Sequence, residues 1–265
     1  MRSGTAPPVP SAPARRLLLT AAEWAVLVAE WPGALPPGLS VEVPGSRQRN
    51  DAVAALVARG VLRAPVGGPV EPVPAVAADL AVLRRPLLTV RLETGGRGGR
   101  RHGWFALGAD VVVVVLTLPD GGIELSLAPA AGLGAELARV VPEAAAVTGP
   151  TARGGAPPTG ALPLGLLDAA PAGRGGPPPT AAEAALAGEL LRRTAGSLDC
   201  LVLGRAGGPV GAGQVSWLAT DGGWVGLRPH PGGSPRRVVD VVSVRPADLG
   251  TWVAPTVAAL LEGRA

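Results

Sequence analysis

Few side chains in this sequence are of the types that do acid–base or metal chemistry. The two histidines are His102 and His230, and neither has a second ligand-type residue at metal-binding spacing. The single cysteine, Cys200, excludes an intramolecular disulfide; its apolar surroundings, LDCLVLG, indicate a small core residue. The nucleophile-elbow pattern is absent, although a Ser–His–acid set assembled by the fold stays open. We therefore predict no metal, no cofactor and no enzymatic activity.

Two glycine-rich segments are candidate binding loops. The first, GRAGGPVGAG at 204–213, lacks the Lys-Ser/Thr pair of a phosphate-binding loop and connects two predicted strands instead of opening a helix. The second, GGRGGRR at 95–101, resembles an Arg/Gly element that binds single-stranded nucleic acid, but few aromatic residues lie near it. We interpret it first as a solvated, mobile hairpin loop. A protein-contact loop and a nucleic-acid contact are the alternatives.

The six tryptophans are the other unusual feature. Most are expected in the core, but tryptophan is also a frequent hot-spot residue at protein interfaces, so one or two could lie on a binding face. Taken with the Arg/Gly segment, this gives one set of candidate partner-binding residues. The set is Gly95, Gly96, Arg97, Arg100, Arg101, Trp217 and Trp224.

Composition limits the kind of protein this is. The chain has 265 residues with 47% apolar residues, enough for one large domain or two small ones. All 24 basic residues are arginine, as is typical of a GC-rich genome, and the net charge of +4 is weak support for nucleic-acid binding. No apolar run approaches the ~20 residues of a membrane span, and the N-terminal LLL is too short for a signal peptide. We predict a cytoplasmic protein that does not bind membranes.

The helices that would position these residues begin with a repeated signal. Thr20 and Glu23 in TAAEWAVL, and Thr180 and Glu183 in TAAEAALA, each form the Thr-x-x-Glu pattern of a capping box. Each predicted helix is followed by strands and then by a similar closing sequence, SLAPAAGLGAEL at 126–137 and SVRPADLGTWV at 243–253. The chain therefore reads as a duplication.

Short turns between the predicted strands favour antiparallel hairpins. The strands of the first half are predicted within 39–44, 87–93, 102–107, 111–118 and 123–127, and those of the second within 198–203, 213–220, 223–228 and 236–244. We predict an α+β, quasi-two-fold duplicated fold with a central antiparallel β-sheet flanked by helical bundles. Its parts are a disordered tail (1–16), an N-terminal half (17–147), a Pro/Gly-rich linker (148–179) and a C-terminal half of the same domain (180–265).

Several short segments, spread along the chain, resemble the EspG family, the ESX (type VII) secretion-associated proteins of actinobacteria. They are the helix opening Leu19–Glu23, the Val41–Pro44 segment, the helix end Leu56–Val61, the Gly213–Val215 strand and the closing Val244–Gly250. The resemblance implies a quasi-symmetric α+β fold and a cytosolic specificity chaperone. The Pro-rich linker and the Arg/Pro tail depart from the family pattern.

The resemblance also implies what the protein does. It implies binding to the apolar tip of a secreted helical protein of PPE type, paired with a PE partner, which is kept soluble and directed to export. In the family a long loop between early strands contacts the client, and Gly95–Arg101 is its positional counterpart here. The alternatives are a nucleic-acid-binding protein that uses the Arg/Gly loop, and a non-catalytic interaction protein that dimerises. We expect a client protein and no nucleic acid, and a homodimer stays open.

Overall fold

The computed structural model describes residues 15–31, 33–149, 155–167, 178–205, 210–231 and 237–263. Its α-helices are α1 (Ala21–Ala29), α2 (Ser46–Ala58), α3 (Pro74–Arg84), α4 (Leu133–Val140), α5 (Ala144–Thr148), α6 (Ala181–Arg193) and α7 (Leu249–Glu262). The strands of the first half are β1 (Arg15–Leu19), β2 (Leu62–Arg63), β3 (Glu71–Pro72), β4 (Leu88–Gly96), β5 (Gly99–Leu107), β6 (Val111–Thr117) and β7 (Ile123–Pro129). Those that follow are β8 (Gly160–Pro163), β9 (Thr194–Arg205), β10 (Val210–Thr220), β11 (Gly223–Pro229) and β12 (Val238–Val244).

Ten of the described strands form one sheet, in the order β1-β7-β6-β5-β4-β9-β10-β11-β12-β8. The pairings of β1 with β7, of β5 with β6, of β6 with β7 and of each strand from β9 to β12 with its neighbour are antiparallel. The short β2 and β3 pair separately. The predicted α+β class with a large antiparallel sheet is confirmed.

The strand order repeats, as the duplication predicts. Outward from β4 the strands are β4, β5, β6, β7 and β1; outward from β9 they are β9, β10, β11, β12 and β8. In both series a four-stranded meander ends in a 3-10 turn and a helix, and the outermost strand precedes a capped helix in the chain, directly for β1 and by 17 residues for β8. The repeat unit is therefore an edge strand, a capped helix, a meander and a closing helix.

Both predicted capping boxes are present. The Thr20 hydroxyl accepts a hydrogen bond from the Glu23 N–H at 3.1 Å, and the Glu23 carboxylate accepts one from the Thr20 N–H at 2.8 Å. At Thr180 and Glu183 the same two bonds are 3.2 and 2.7 Å long. Each box satisfies backbone donors that have no partner within the helix.

Several elements differ from the sequence predictions. The segment 39–44 forms no strand, because none of the described strands lies beside it to pair with. Residues 160–163, inside the predicted linker, form the edge strand β8 against β12. Of the predicted N-terminal tail, Arg15 and Arg16 begin β1, and residues 1–14 lie outside the described residues.

Contacts divide the chain into two compact units. The first comprises residues up to Thr89 together with Gly103–Glu136. In its core, apolar side chains of α1, α2 and α3 pack against β6 and β7; they include Trp24, Leu27, Leu56, Leu80, Val113, Val115 and Leu125. Burial is nearly continuous along α1 and β6, where residues 23–28 and 112–116 are all buried, so both elements lie in the interior of this unit.

The second unit comprises Val90–His102 together with the chain from Leu137 onward. One of its apolar clusters joins α6 to β8, β11 and β12 through Leu162, Leu190, Val225 and Val241. At another position, α7 approaches glycines of β10 and β11: a Cβ at Gly213 would lie 2.4 Å from the Thr256 side chain, and one at Gly226 would lie 2.5 Å from the Trp252 ring. Glycine is needed there because the helix occupies the space of a side chain.

Candidate functional site

The Arg/Gly segment forms the tip of the β4–β5 hairpin. β4 ends at Gly96, β5 begins at Gly99, and only Arg97 and Gly98 lie in the turn between them. Gly99 has a φ of +91°, a conformation that an L side chain rarely adopts. The predicted hairpin is present, and in place of the long loop that the resemblance implied it has a tight turn to which both strands almost extend.

The hairpin tip is rich in positive charge. Residues 91–102 carry four arginines and one glutamate, and the Arg97, Arg100 and Arg101 side chains are exposed. Glu93 lies 3.4 Å from Arg91, 3.6 Å from Arg100 and 3.7 Å from the His102 ring. One carboxylate shared by these groups leaves the tip with a net positive charge, which favours a partner that presents carboxylates.

The hairpin also contacts α5. The Arg97 backbone N–H donates a hydrogen bond to the Val147 carbonyl oxygen at 3.0 Å. A Cβ at Gly96 would lie 2.5 Å from Val147 Cγ1, so only glycine fits at this position while Val147 occupies its place. The structure thus brings Gly95, Gly96, Arg97, Arg100 and Arg101 together on one hairpin, and it seats that hairpin against a helix that the sequence analysis missed.

Trp217 and Trp224 do not lie on this surface. Trp217 is 0% exposed and Trp224 is 2% exposed, and their ring centroids are 6.3 Å apart. Trp217 also lies edge-on to Trp252, at 5.9 Å. The prediction that these two residues contact a partner directly is corrected: Trp217 shares the buried face of β10 with Val215 and Ala219, and the sheet alternation turns its ring into the core.

The first unit contains an apolar groove that the sequence analysis missed. It has a volume of about 330 Å³ and is lined by α1 and by the irregular segment that follows it, through Ala25, Val28, Ala29, Leu35, Val41, Val43 and Pro44. Val43 is 93% exposed. The alternating LSVEVP sequence at 39–44 could have indicated this groove. When such an apolar segment has no strand beside it, its apolar side chains stay in contact with solvent.

The described residues include an imidazole–carboxylate hydrogen bond, between His230 and Asp240. The His230 ring lies 2.7 Å from an Asp240 carboxylate oxygen, and this hydrogen bond holds the pKa of Asp240 below its ordinary value. Within the described residues no three His, Cys, Asp or Glu side chains could hold one metal ion. No helix in the described part of the chain is long and apolar enough to cross a membrane.

Cys200 is expected to resist alkylation in the folded protein. It is fully buried in β9, and burial, assisted by the neighbouring Asp199 charge, raises the pKa of its thiol to about 12. Because the thiolate is the reactive form, iodoacetamide at pH 8 should leave the native chain unmodified and add one adduct after unfolding in denaturant, as measured by intact mass. Rapid modification of the native chain would contradict the buried position.

Comparison with solved structures gives a likeness along nearly the whole chain. No family model matches the sequence, and no curated protein matches it. Among solved structures the chain is similar to the Mycobacterium tuberculosis type VII secretion system chaperone EspG5, determined in complex with a PE25–PPE41 dimer. The two chains are 12% identical, the similarity covers 93% of this chain and 97% of that chain, and the TM-score is 0.57. The chain therefore has an EspG-like fold.

Proposed function

We propose that this protein is a type VII secretion chaperone that acts in the cytoplasm. It binds the apolar tip of a helical export substrate of PE/PPE type, keeps that substrate soluble and helps direct it to the export machinery. The observation that carries the proposal is the likeness to EspG5 along nearly the whole of both chains. A chaperone role is non-enzymatic, and it needs a complementary surface in place of converging reactive groups.

The β4–β5 hairpin is the client-binding element in this proposal. It presents exposed arginines at the end of a tight two-residue turn, so its contact groups are held on ordered backbone. Order before binding lowers the entropy cost of forming the interface. Arginine contributes planar, bidentate hydrogen bonds to carboxylates, which suits a polar rim around an apolar helix tip.

The proposal is tested by capture from the source organism. The tagged full-length chain is expressed there and purified, and its partners are identified by mass spectrometry. A pair of small helical secreted proteins supports the proposal once the same pair, produced recombinantly, forms a stoichiometric complex with the chain. Recovery of nuclease-sensitive nucleic acid, or of the chain alone as a dimer, supports one of the two alternative functions and contradicts this one.

Removing the hairpin arginines is expected to weaken client binding about tenfold, since exposed ion pairs contribute roughly 0.2–1 kcal/mol each. The variant is Arg97→Gln with Arg100→Gln and Arg101→Gln, and calorimetry with the captured pair measures the affinity. Its control is Arg47→Gln with Arg85→Gln and Arg192→Gln, which removes the same charge from exposed sites elsewhere. The difference between the two should shrink at 0.5 M salt, because salt screens exposed charges. Equal affinities would exclude the hairpin from the interface.

A further inference from the structure

We propose that Val147 is a positioning residue, and that α5 fixes the orientation of the arginine hairpin through it. The binding part of this inference rests on the proposed chaperone function; the structural part does not. Val147 is buried in a notch between two strands, formed where Gly96 of β4 and Gly196 of β9 lack side chains. The hairpin is thereby attached to a helix that follows it by about 50 residues of sequence.

The notch is visible in the space that two glycines leave. A Cβ at Gly196 of β9 would lie 2.4 Å from Val147 Cγ1 and 2.5 Å from the Gly95 carbonyl oxygen of β4, and a Cβ at Gly96 would lie 2.5 Å from the same Val147 methyl group. β4 and β9 are neighbours in the sheet, so these positions form one depression. Real Cβ atoms do not approach other atoms so closely, so a side chain at Gly96 would displace Val147, and one at Gly196 would displace both Val147 and the backbone of β4.

Hydrogen bonds hold α5 on both sides of this notch. The Trp224 indole N–H donates to the Pro142 carbonyl oxygen at 2.9 Å, just before the helix. At the other end, the Val147 carbonyl oxygen accepts the Arg97 N–H at 3.0 Å. Ala144, Val147 and Thr148 form the buried face of the helix. Trp224, predicted from sequence to contact a partner, would therefore influence the binding surface from the core.

These contacts hold the backbone from which the arginine side chains extend. The Arg97 backbone is bonded to α5, and the Gly96 backbone is pressed against Val147, so the turn cannot pivot unless α5 moves. A change that moves α5 without adding an atom beside β4 should therefore loosen the hairpin tip. A hairpin held only by strand pairing, within itself and with β9, would not respond to such a change.

The test is Gly196→Ala with Gly95→Ala as the matched control. Both add one methyl group to a sheet glycine with ordinary φ, but a Cβ at Gly95 has no atom within 4 Å, apart from its own chain neighbours. Hydrogen exchange of the Arg97 amide in the full chain is measured by NMR, relative to the amide of Val114, which is fully buried in β6. We expect about tenfold faster relative exchange in Gly196→Ala, from a local opening, and no change in Gly95→Ala. Affinity for the captured pair should fall about fivefold, as when one exposed ion pair is lost.

A second pair of variants covers the case in which Gly196→Ala does not fold. Trp224→Phe removes the bond to Pro142, whereas Trp104→Phe removes an equivalent 3.1 Å bond to the Pro37 carbonyl oxygen in the first unit. Only Trp224→Phe should speed relative exchange at Arg97. Trp224→Phe decides the positioning role, because it adds no atom beside β4, whereas a methyl group at Gly196 also meets the Gly95 carbonyl oxygen. Unchanged relative exchange at Arg97 in Trp224→Phe overturns that role. If exchange at Arg97 becomes faster but the affinity for a pair that the wild type binds does not change, then Val147 has no influence on binding. If the wild type binds no such pair, the chaperone proposal fails and the exchange result alone decides the role of Val147.

Discussion

Replacement of Glu23 by alanine is expected to lower the free energy of unfolding by about 3 kcal/mol. Loss of the bond from the Thr20 N–H to the Glu23 carboxylate contributes up to about 1 kcal/mol, while the Thr20 hydroxyl keeps its bond to the backbone N–H of residue 23. The rest comes from Arg59, whose guanidinium donates to the Glu23 carboxylate at 2.9 Å and to the Leu18 carbonyl oxygen of β1 at 2.6 Å. Glu23 is buried, so its removal leaves part of a charged pair without its partner, although the half-exposed Arg59 regains some hydration. Denaturant unfolding measures the change.

The duplication supplies the matched control for this variant. Glu183→Ala removes the same capping interactions from α6, where the box is more exposed, and should cost about 1 kcal/mol. The difference between the two variants isolates the buried pair with Arg59. Equal losses would mean that Arg59 adds nothing to the stability of the first unit beyond the cap.

Local signals in the sequence predicted most of the architecture. The two capping boxes, the Pro-containing strand–helix junctions and the short turns each act within a few residues, and each formed where expected. Their repetition in the same order predicted the duplicated antiparallel sheet. The recognised EspG-like fold is confirmed by the structural likeness, although the sequences of the two chains have little in common.

The missed elements depend on distant partners. β8 is four residues long, and its GALP sequence becomes a strand only because β12 lies beside it. The segment 39–44 has the better strand pattern but no neighbouring strand among those described, so it stays irregular. Strand propensity measures how well a residue fits on a pleated sheet surface. It does not indicate which segments will have a neighbouring strand.

In the candidate site, too, the sequence predicted the local features and missed those that depend on distant contacts. Charge and glycine content located the hairpin tip correctly, because both are properties of the residues themselves. The contact with α5 involves Val147, about 50 residues away along the chain, and no local sequence pattern predicts it. For Trp217 the choice between interface and core depended on which element covers its own face of the sheet, and α7 covers it through Trp252.

Trp217→Ala is expected to cost about 4 kcal/mol of stability, as for other fully buried aromatic side chains, and to leave client affinity of the folded protein unchanged. The ring lies between those of Trp224 and Trp252, with centroids 6.3 and 5.9 Å away, so its loss opens a cavity and removes two aromatic contacts. Thermal and denaturant unfolding measure the stability. Calorimetry with the captured pair, at a temperature where the variant is folded, measures the affinity.

Trp217→Phe separates packing from hydrogen bonding in this prediction. The Trp217 indole nitrogen has no hydrogen-bond partner among the described residues, so phenylalanine loses ring volume but no bond and should cost about 1 kcal/mol, in the range of modest core volume changes. A folded Trp217→Ala protein with normal stability and reduced affinity would place this side chain at the interface after all. The expected pattern is the reverse, because a ring at the centre of an aromatic cluster stabilises the fold without touching a partner.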